Sequence, residues 1–259
     1  MSSLFDVRGK VAIVTGGSRG IGQAIATRYA EAGMHVVISS RKAEGLDTAV
    51  AEIKAATDGT GDVTPIVAHN GDKAALQALV AQTVAQYGGV DVLVNNAATN
   101  PHFGTLLGAE DSMWQKTWEV NIMGNVWLTQ AAVAEMRERG GGKIINVASV
   151  NGIRPGTMQG IYSLTKAAVI NLTQTLAMEL AADNIQANAI APGLIKTKFA
   201  QAIWDNPTLL EGIIQRTPQR RMGDPDDIAG MALYLASPAS GFTTGQVYVV
   251  DGGITLPML

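Results

Sequence analysis

Short apolar runs alternate along the chain with longer segments of helical period. Val11–Thr15 precedes Gly20–Ala32, His35–Ser39 precedes Ala43–Ala56, and Pro65–Ala68 precedes Lys73–Tyr87. Val92–Val94 leads into a long helical stretch through Trp114–Arg139, then Lys143–Ala148 and a helix around Ile161–Ala182. The run Ile185–Ile190, a helix Ile228–Ala236 and the run Val247–Val250 complete the pattern. Strands that alternate with helices of this length pair in parallel through right-handed crossovers. The runs are nearly continuous in Val, Ile and Ala, which suits strands covered on both faces. The pattern predicts an α/β fold: one doubly wound Rossmann-type domain over residues 1–259, with a parallel sheet of about seven strands and helices on both faces. One long irregular stretch, about Gly193–Gly223, carries Leu194, Ile195, Phe199, Ile203 and Trp204, and its apolar content predicts a substrate lid.

Composition narrows the function classes. The 259 residues contain no cysteine, which removes disulfides, thiolate metal ligands and a cysteine nucleophile together. With 19 basic and 22 acidic residues the chain lacks the basic footprint of a nucleic-acid binder. Asp6 and Arg8 fall where a signal peptide needs an apolar run, and no stretch has the length of a membrane span. The expectation is a soluble, cytoplasmic protein.

Candidate chemistry starts at Thr15-Gly16-Gly17-Ser18-Arg19-Gly20-Ile21-Gly22, between the first strand and the first helix. Glycines there let the backbone turn tightly and approach a pyrophosphate, which sits on the free N–H groups and positive dipole of the helix N-terminus. The same glycines would also serve a plain tight turn. Tyr162 and Lys166 lie four apart in a helical segment, so they share one face. A carbonyl that accepts hydride needs a proton donor. Tyrosine's ordinary pKa near 10 is too high for that task, and a nearby ammonium lowers it by favouring the phenolate. A solvated tyrosine beside a solvated lysine has the same spacing. Ser149 ends the fifth strand, on the sheet edge where ligands of parallel sheets gather, although such a serine can also cap a helix. Asn121 lies inside a helical run, where a local hydrogen bond is the plain alternative.

These pieces resemble, over essentially the full length, the single-domain short-chain dehydrogenase/reductases. The matching residues are Thr15–Gly22, Asn95-Asn96-Ala97-Ala98 after the fourth strand, Asn121, Ser149, Tyr162, Lys166, Pro192-Gly193 with Thr197, and Val250-Asp251-Gly252-Gly253, all in family order. The resemblance implies that Tyr162 is the general acid/base and that Ser149 binds the substrate oxygen. It implies that Lys166 holds the nicotinamide ribose and lowers the tyrosine pKa, while Asn121 steadies a water relay from Lys166. Cofactor contacts are implied from Gly16, Ser18, Arg19, Ile21, Asn96, Ile195 and Thr197, with Gly20, Gly22, Pro192 and Gly193 in the same motifs. It further implies a homotetramer built partly on the helices around Asn121–Arg139 and Thr165–Ala182, and catalysis without a metal. Ala98 stands where the family usually has Gly. His69-Asn70 stands where it often has Asp-Val against the adenine, which leaves that contact open.

Cofactor choice is read at the end of the second strand, Val36-Val37-Ile38-Ser39-Ser40-Arg41-Lys42. An NAD enzyme of this fold places an acid there for the ribose 2′-hydroxyl. Here the slot holds uncharged Ser40, with Arg41 next to it and Arg19 in the glycine turn. Two guanidinium groups suit a 2′-phosphate, so the expected cofactor is NADP(H). Phe103, Met158, Phe199 and Trp204 predict a mostly apolar pocket for a small carbonyl or alcohol substrate. One alternative is a 3-oxoacyl-[acyl-carrier-protein] reductase. Arg137 and Arg139 favour it, and Met178, where such enzymes usually carry Arg, opposes it. The other is a non-catalytic dinucleotide-binding regulator, which has no need of Ser149, Tyr162 and Lys166 together.

Overall fold

Residues 4–58 and 62–256 are described by a computed structural model of the protein. Its centre is a seven-stranded parallel sheet in the order β3-β2-β1-β4-β5-β6-β7. The strands are β1 Val11–Thr15, β2 His35–Ser40, β3 Asp62–Val67, β4 Val92–Asn95, β5 Gly142–Val147, β6 Ile185–Pro192 and β7 Val247–Val250. Successive side chains in β1 point to opposite faces, and each face has its own core. Ala12 and Val14 pack with helices α1 (Gly20–Glu31), α2 (Ala43–Ala56) and α9 (Pro225–Ala236). Ile13 packs with α3 (Lys73–Tyr87), α5 (Gly124–Glu138) and α6 (Gly160–Leu180). Both faces are therefore covered, which is why the strand sequences lack polar alternation. No helix is long and apolar enough to cross a membrane among the described residues.

Three elements depart from the periodicity. β3 begins at Asp62, three residues before Pro65, because an edge strand tolerates a proline that a central strand does not. The long helix of the middle region is two helices, α4 (Asp111–Trp118) and α5, joined by a π-helical turn at Glu119–Met123. The stretch after β6 is not irregular: it contains a 3₁₀ turn Lys198–Ala200, α7 (Gln201–Trp204) and α8 (Pro207–Arg216). The α8 start carries two ordinary signals, Pro207 in the first turn and an Asn206 side chain that accepts from the Leu209 N–H at 3.2 Å.

The strand order turns around between β1 and β4, and their C-terminal ends leave the crevice in which ligands of such sheets bind. The opposite end of the same two strands is tied by Asp91. Its carboxylate accepts from the Val11 N–H at 2.9 Å, Lys10 Nζ at 3.1 Å and both Nε and Nη2 of Arg139 at 3.1 and 3.0 Å. Burial alone would raise the Asp91 pKa, but the bonds from Val11, Arg139 and Lys10 outweigh it and hold the carboxyl below its ordinary value. A carboxyl with a lowered folded-state pKa contributes stability above its unfolded pKa, and that contribution is lost as pH falls through the folded value. Asp91→Asn should therefore destabilise the protein by about 1.5–3 kcal/mol at neutral pH. The difference should shrink below about pH 4. Denaturant unfolding of both proteins across this range measures it, and equal stability at pH 7 would contradict the assignment.

Candidate active site

The crevice floor is set by Thr15, the last residue of β1. Its hydroxyl accepts from the backbone N–H groups of Asn96 and Ala97, each at 3.0 Å, and donates to the Val94 carbonyl at 3.3 Å. Asn96 returns the contact, donating from Nδ2 to the Thr15 carbonyl at 2.8 Å. The glycine turn then passes close over this clasp. Gly16 has φ of 66°, and a Cβ on it would lie 2.8 Å from Asn96 Nδ2; a Cβ on Gly22 would lie 2.4 Å from the Gly16 carbonyl oxygen. Only glycine fits both places. Arg19 occupies the N-cap of α1 without a side-chain cap, so the first N–H groups of the helix are left for a ligand. This cradle of bare backbone and uncapped helix fits a dinucleotide's pyrophosphate.

Ser18 and Ser40 bring the turn and the end of β2 together, Ser18 Oγ donating to Ser40 Oγ at 3.1 Å. Arg19 and Arg41 are exposed on this rim, and neither makes an ion pair among the described residues. Thr197 closes the other side, its methyl carbon 3.1 Å from where a Gly20 Cβ would be. Ile195 is 5% exposed and its side chain belongs to the core, so what it offers a ligand is backbone. Pro192 ends β6, and Gly193 donates its N–H to the Val250 carbonyl at 2.9 Å. Asn70 is turned inward: its Nδ2 donates to the Val120 carbonyl at 2.7 Å and supports the π-helical turn. His69 stays half-buried beside it, its Nδ1 accepting from the Gly71 N–H at 3.0 Å.

Beyond the cradle, Ser149, Tyr162 and Lys166 converge. Ser149 follows β5 and caps the 3₁₀ turn Val150–Gly152 by accepting from the Asn151 N–H at 3.1 Å. That turn lies directly on α6, where a Cβ on Gly152 would be 2.6 Å from the Lys166 carbonyl carbon, so glycine is required for the approach. The Ser149 hydroxyl is near enough to the Tyr162 hydroxyl to pull the phenol's pKa down. Lys166 reaches back to β5 and donates to the Val147 carbonyl at 2.6 Å, with Nζ 5.6 Å from the Tyr162 ring centre. Burial pushes Lys166 down to about 8 and pushes Tyr162 up to about 12, the Ser149 hydroxyl opposing the latter. Desolvation thus outweighs any help the ammonium gives the phenol, contrary to the expectation from spacing alone.

Asn121 sits in the π-helical turn and uses its side chain as a peptide would. It accepts from the Thr99 N–H at 2.8 Å and donates to the Thr99 carbonyl at 3.0 Å and to Thr165 Oγ1 at 3.0 Å. It fixes the loop after β4 against α6 at Thr165, the residue before Lys166. Single π turns are frequent at functional sites. Phe199 lies on the Tyr162 ring, centroids 5.6 Å apart, and Trp204 donates to the Thr197 carbonyl at 2.9 Å. Phe103 and Met158 are about half exposed at the rim.

Several site residues were not legible in the sequence. Thr99 acts through its backbone on the Asn121 side chain, distant in the chain, and Asn100, Asn151 and Gln159 belong to loops without periodicity. One local signal does mark that region: Met158 holds a left-handed φ of 62°, rare for a non-glycine side chain.

A doubly wound sheet with a dinucleotide cradle and a buried Ser-Tyr-Lys cluster at its switch point defines a nicotinamide-dependent oxidoreductase. The chain belongs to the single-domain short-chain dehydrogenase/reductases. Residues 16–255 match the family model described as enoyl-(acyl carrier protein) reductase. The chain is 45% identical over 244 residues to dehydrogenase/reductase SDR family member 4 of Oryctolagus cuniculus, covering 94% of this chain and 93% of that protein. Its fold is similar to a gluconate 5-dehydrogenase from Burkholderia cenocepacia solved with NADP and tartrate (TM-score 0.92, 35% identity, 98% of each chain). It is also similar to an L-sorbose reductase from Gluconobacter frateurii solved with NADPH and L-sorbose (TM-score 0.91, 34% identity, 99% and 100% of the two chains). The family binds a nicotinamide dinucleotide.

The low Lys166 pKa has a kinetic consequence. The kcat/KM for the cofactor reports groups of the free enzyme, and it should fall as pH rises through about 8, where Lys166 loses its proton. In Lys166→Met that limb should vanish and any remaining alkaline decline should move towards the tyrosine near 12. An identical profile in both proteins would sink the assignment.

Proposed function

We propose that the protein is an NADP(H)-dependent oxidoreductase that interconverts a carbonyl and a secondary alcohol on a small molecule. The observation that carries the reading is the joining of Ser149, Tyr162 and Lys166 in one buried cluster beside the glycine cradle. Ser149 holds the substrate oxygen and Tyr162 gives or takes its proton. The phenol is protonated across the physiological range and so carries the proton to be given, although burial makes it a weaker acid than the task favours. Lys166 supplies a positive charge close to that proton, and Asn121 keeps the loop after β4 in place against α6. Gly16, Ser18, Arg19, Gly20, Ile21 and Gly22 hold the pyrophosphate end of the cofactor, with Asn96, Thr197 and the backbone of Ile195 around it. Bound there, the nicotinamide supplies or accepts the hydride. The segment 193–223 serves as the lid: the Ile195–Gly223 bridge ties its two ends together, and Phe199 closes on Tyr162.

The preference for NADP(H) rests on uncharged Ser40 with the exposed, unpaired Arg41 and Arg19. It agrees with the NADP-bound and NADPH-bound relatives. The family model's description gives the acyl-carrier reading its support. Against it, Met178 presents an apolar side chain to solvent on α6, and Arg137 is paired to Asp183 at 2.7 Å as Arg139 is to Asp91. Those two arginines are thus engaged within the subunit, which favours a free small molecule.

Tyr162→Phe should lower turnover by about 10²–10⁴-fold on a reducible ketone, with little change in cofactor affinity. Near-native turnover would refute the reading. The wild type should favour NADP(H) over NAD(H) in kcat/KM by roughly 10- to 100-fold, the worth of a lost charged contact. Ser40→Asp with Arg41→Ile should move preference towards NAD by adding a hydroxyl acceptor and a charge that repels phosphate. Equal efficiency with both cofactors in the wild type would contradict it.

A further inference from the structure

Three side-chain amides stand beside Ser149. Gln159 is the N-cap residue of α6, three positions before Tyr162 and so at the same end of the helix. Its Oε1 accepts from Asn100 Nδ2 at 3.4 Å and from Asn151 Nδ2 at 3.3 Å. Asn151 follows Ser149 and donates its backbone N–H to the Ser149 hydroxyl at 3.1 Å. Asn100 follows Thr99, the residue clamped by Asn121. The cluster therefore links the loop after β4, which Asn121 clamps, with the turn that follows Ser149 and the start of α6, which carries Tyr162. A parallel bridge between Gly104 and Gln159 and the left-handed Met158 hold the Gln159 backbone in place.

The network is only half satisfied. Among the described residues the Gln159 amide nitrogen has no hydrogen-bond partner, nor do the amide oxygens of Asn100 and Asn151. The Asn100 oxygen is wholly buried and out of a substrate's reach, whereas the Gln159 nitrogen and the Asn151 oxygen are accessible. The reachable unfilled positions are mixed, two N–H donors on Gln159 and a carbonyl acceptor on Asn151. A plain ketone fills none of them, and an ether oxygen or a second carbonyl fills only the donors. A hydroxyl group accepts from one and donates to another.

We propose that this carboxamide wall reads a hydroxyl on the carbon next to the reacting carbonyl, so that the substrate class is the α-hydroxy ketone and, in reverse, the vicinal diol. The proposal rests on the carbonyl-reductase reading above. The carbonyl carbon gains the hydride from the reduced cofactor and its oxygen gains the proton from Tyr162, while the neighbouring hydroxyl is left unchanged. Gln159 and Asn151 act in specificity, touching the substrate away from the reacting atoms, and Asn100 positions the Gln159 amide. The apolar rim of Phe103, Met158 and Phe199 takes the remainder of the molecule.

The test compares α-hydroxyacetophenone, α-methoxyacetophenone and acetophenone, with the full chain and NADPH, then NADH. The methoxy compound matches the inductive activation of the carbonyl but has no proton to donate to Asn151. Wild-type kcat/KM should favour the hydroxy over the methoxy ketone by at least about 10-fold, the worth of one made against one unmade hydrogen bond. Gln159→Met and, separately, Asn151→Leu should each cut that ratio several-fold. The ratio within one protein is insensitive to how much of the variant is folded. Turnover of the ketones with equal hydroxy and methoxy efficiency in the wild type overturns the carboxamide proposal alone. An unequal ratio that neither substitution changes also overturns it. Turnover of none of the three with either cofactor overturns the carbonyl-reductase reading, and the proposal with it.

Discussion

The clasp between Thr15 and Asn96 holds the one place where the sheet has to come apart. Winding that runs outward from β1 in one direction and from β4 in the other sends the following segments to opposite sides, and the gap between them is unavoidable. A gap at a strand end leaves backbone N–H and C=O groups with no ladder partner. Here one threonine hydroxyl and one asparagine amide take up four of those groups, at 2.8 to 3.3 Å. Each is worth about 1 kcal/mol net as a bond, and several times that cost is avoided by not burying the groups unpaired. The glycine turn can then pass within contact of the clasp, because Gly16 and Gly22 present nothing to collide with Asn96. A cofactor cradle and a rigid sheet edge are here the same set of atoms.

Burial does opposite things to the two titratable groups at the centre. A phenol pushed up to about 12 stays protonated, while an amine pushed down to about 8 is poised near neutrality. Stripping water from an ammonium is expensive, and the Val147 carbonyl offsets part of that cost with a bond of 2.6 Å. That carbonyl belongs to the last residue of β5, just before Ser149. The strand end therefore anchors the cation and aims the serine together. A shift of β5 relative to α6 would disturb both, which explains why the contact is closed by Gly152 with no side chain between.

What could be read from the chain follows from physical range. Strands and helices declared themselves because burial on two faces imposes a period, and the strand boundaries at Val11–Thr15 and Val247–Val250 coincide with the structure. Tyr162 and Lys166 were visible because a helix fixes the relation between positions four apart. The π-helical turn was not, since one extra residue in a helix leaves hydrophobic spacing nearly unchanged, and Asn121 therefore looked like an ordinary interior polar residue. Asn70 was placed near the adenine by its position after β3, yet its partner is the Val120 carbonyl that the π turn leaves open. The segment after β6 looked irregular because short helices of α8's length carry too few repeats to be recognised, even though Asn206-Pro207 marks its start.

Two kinds of residue thus divide the work. In the proposed reaction the groups that must keep one geometry for any substrate, Ser149, Tyr162 and Lys166, sit on or directly against β5 and α6, where a core packed from both faces fixes them. Phe103, Asn151, Met158 and Phe199, proposed to meet the rest of the substrate, come from connections whose length and sequence can change without moving the sheet. Gln159 stands on the border, a loop residue by its exposure and a helix residue by its place one turn before Tyr162. It couples the carboxamide wall to the Ser-Tyr-Lys centre, because rotation at the start of α6 moves its amide and the tyrosine hydroxyl together. A hydroxyl bound at Gln159 would hold the adjoining carbonyl at a fixed distance from that phenol, so recognition of the substituent would align the reacting carbon as well.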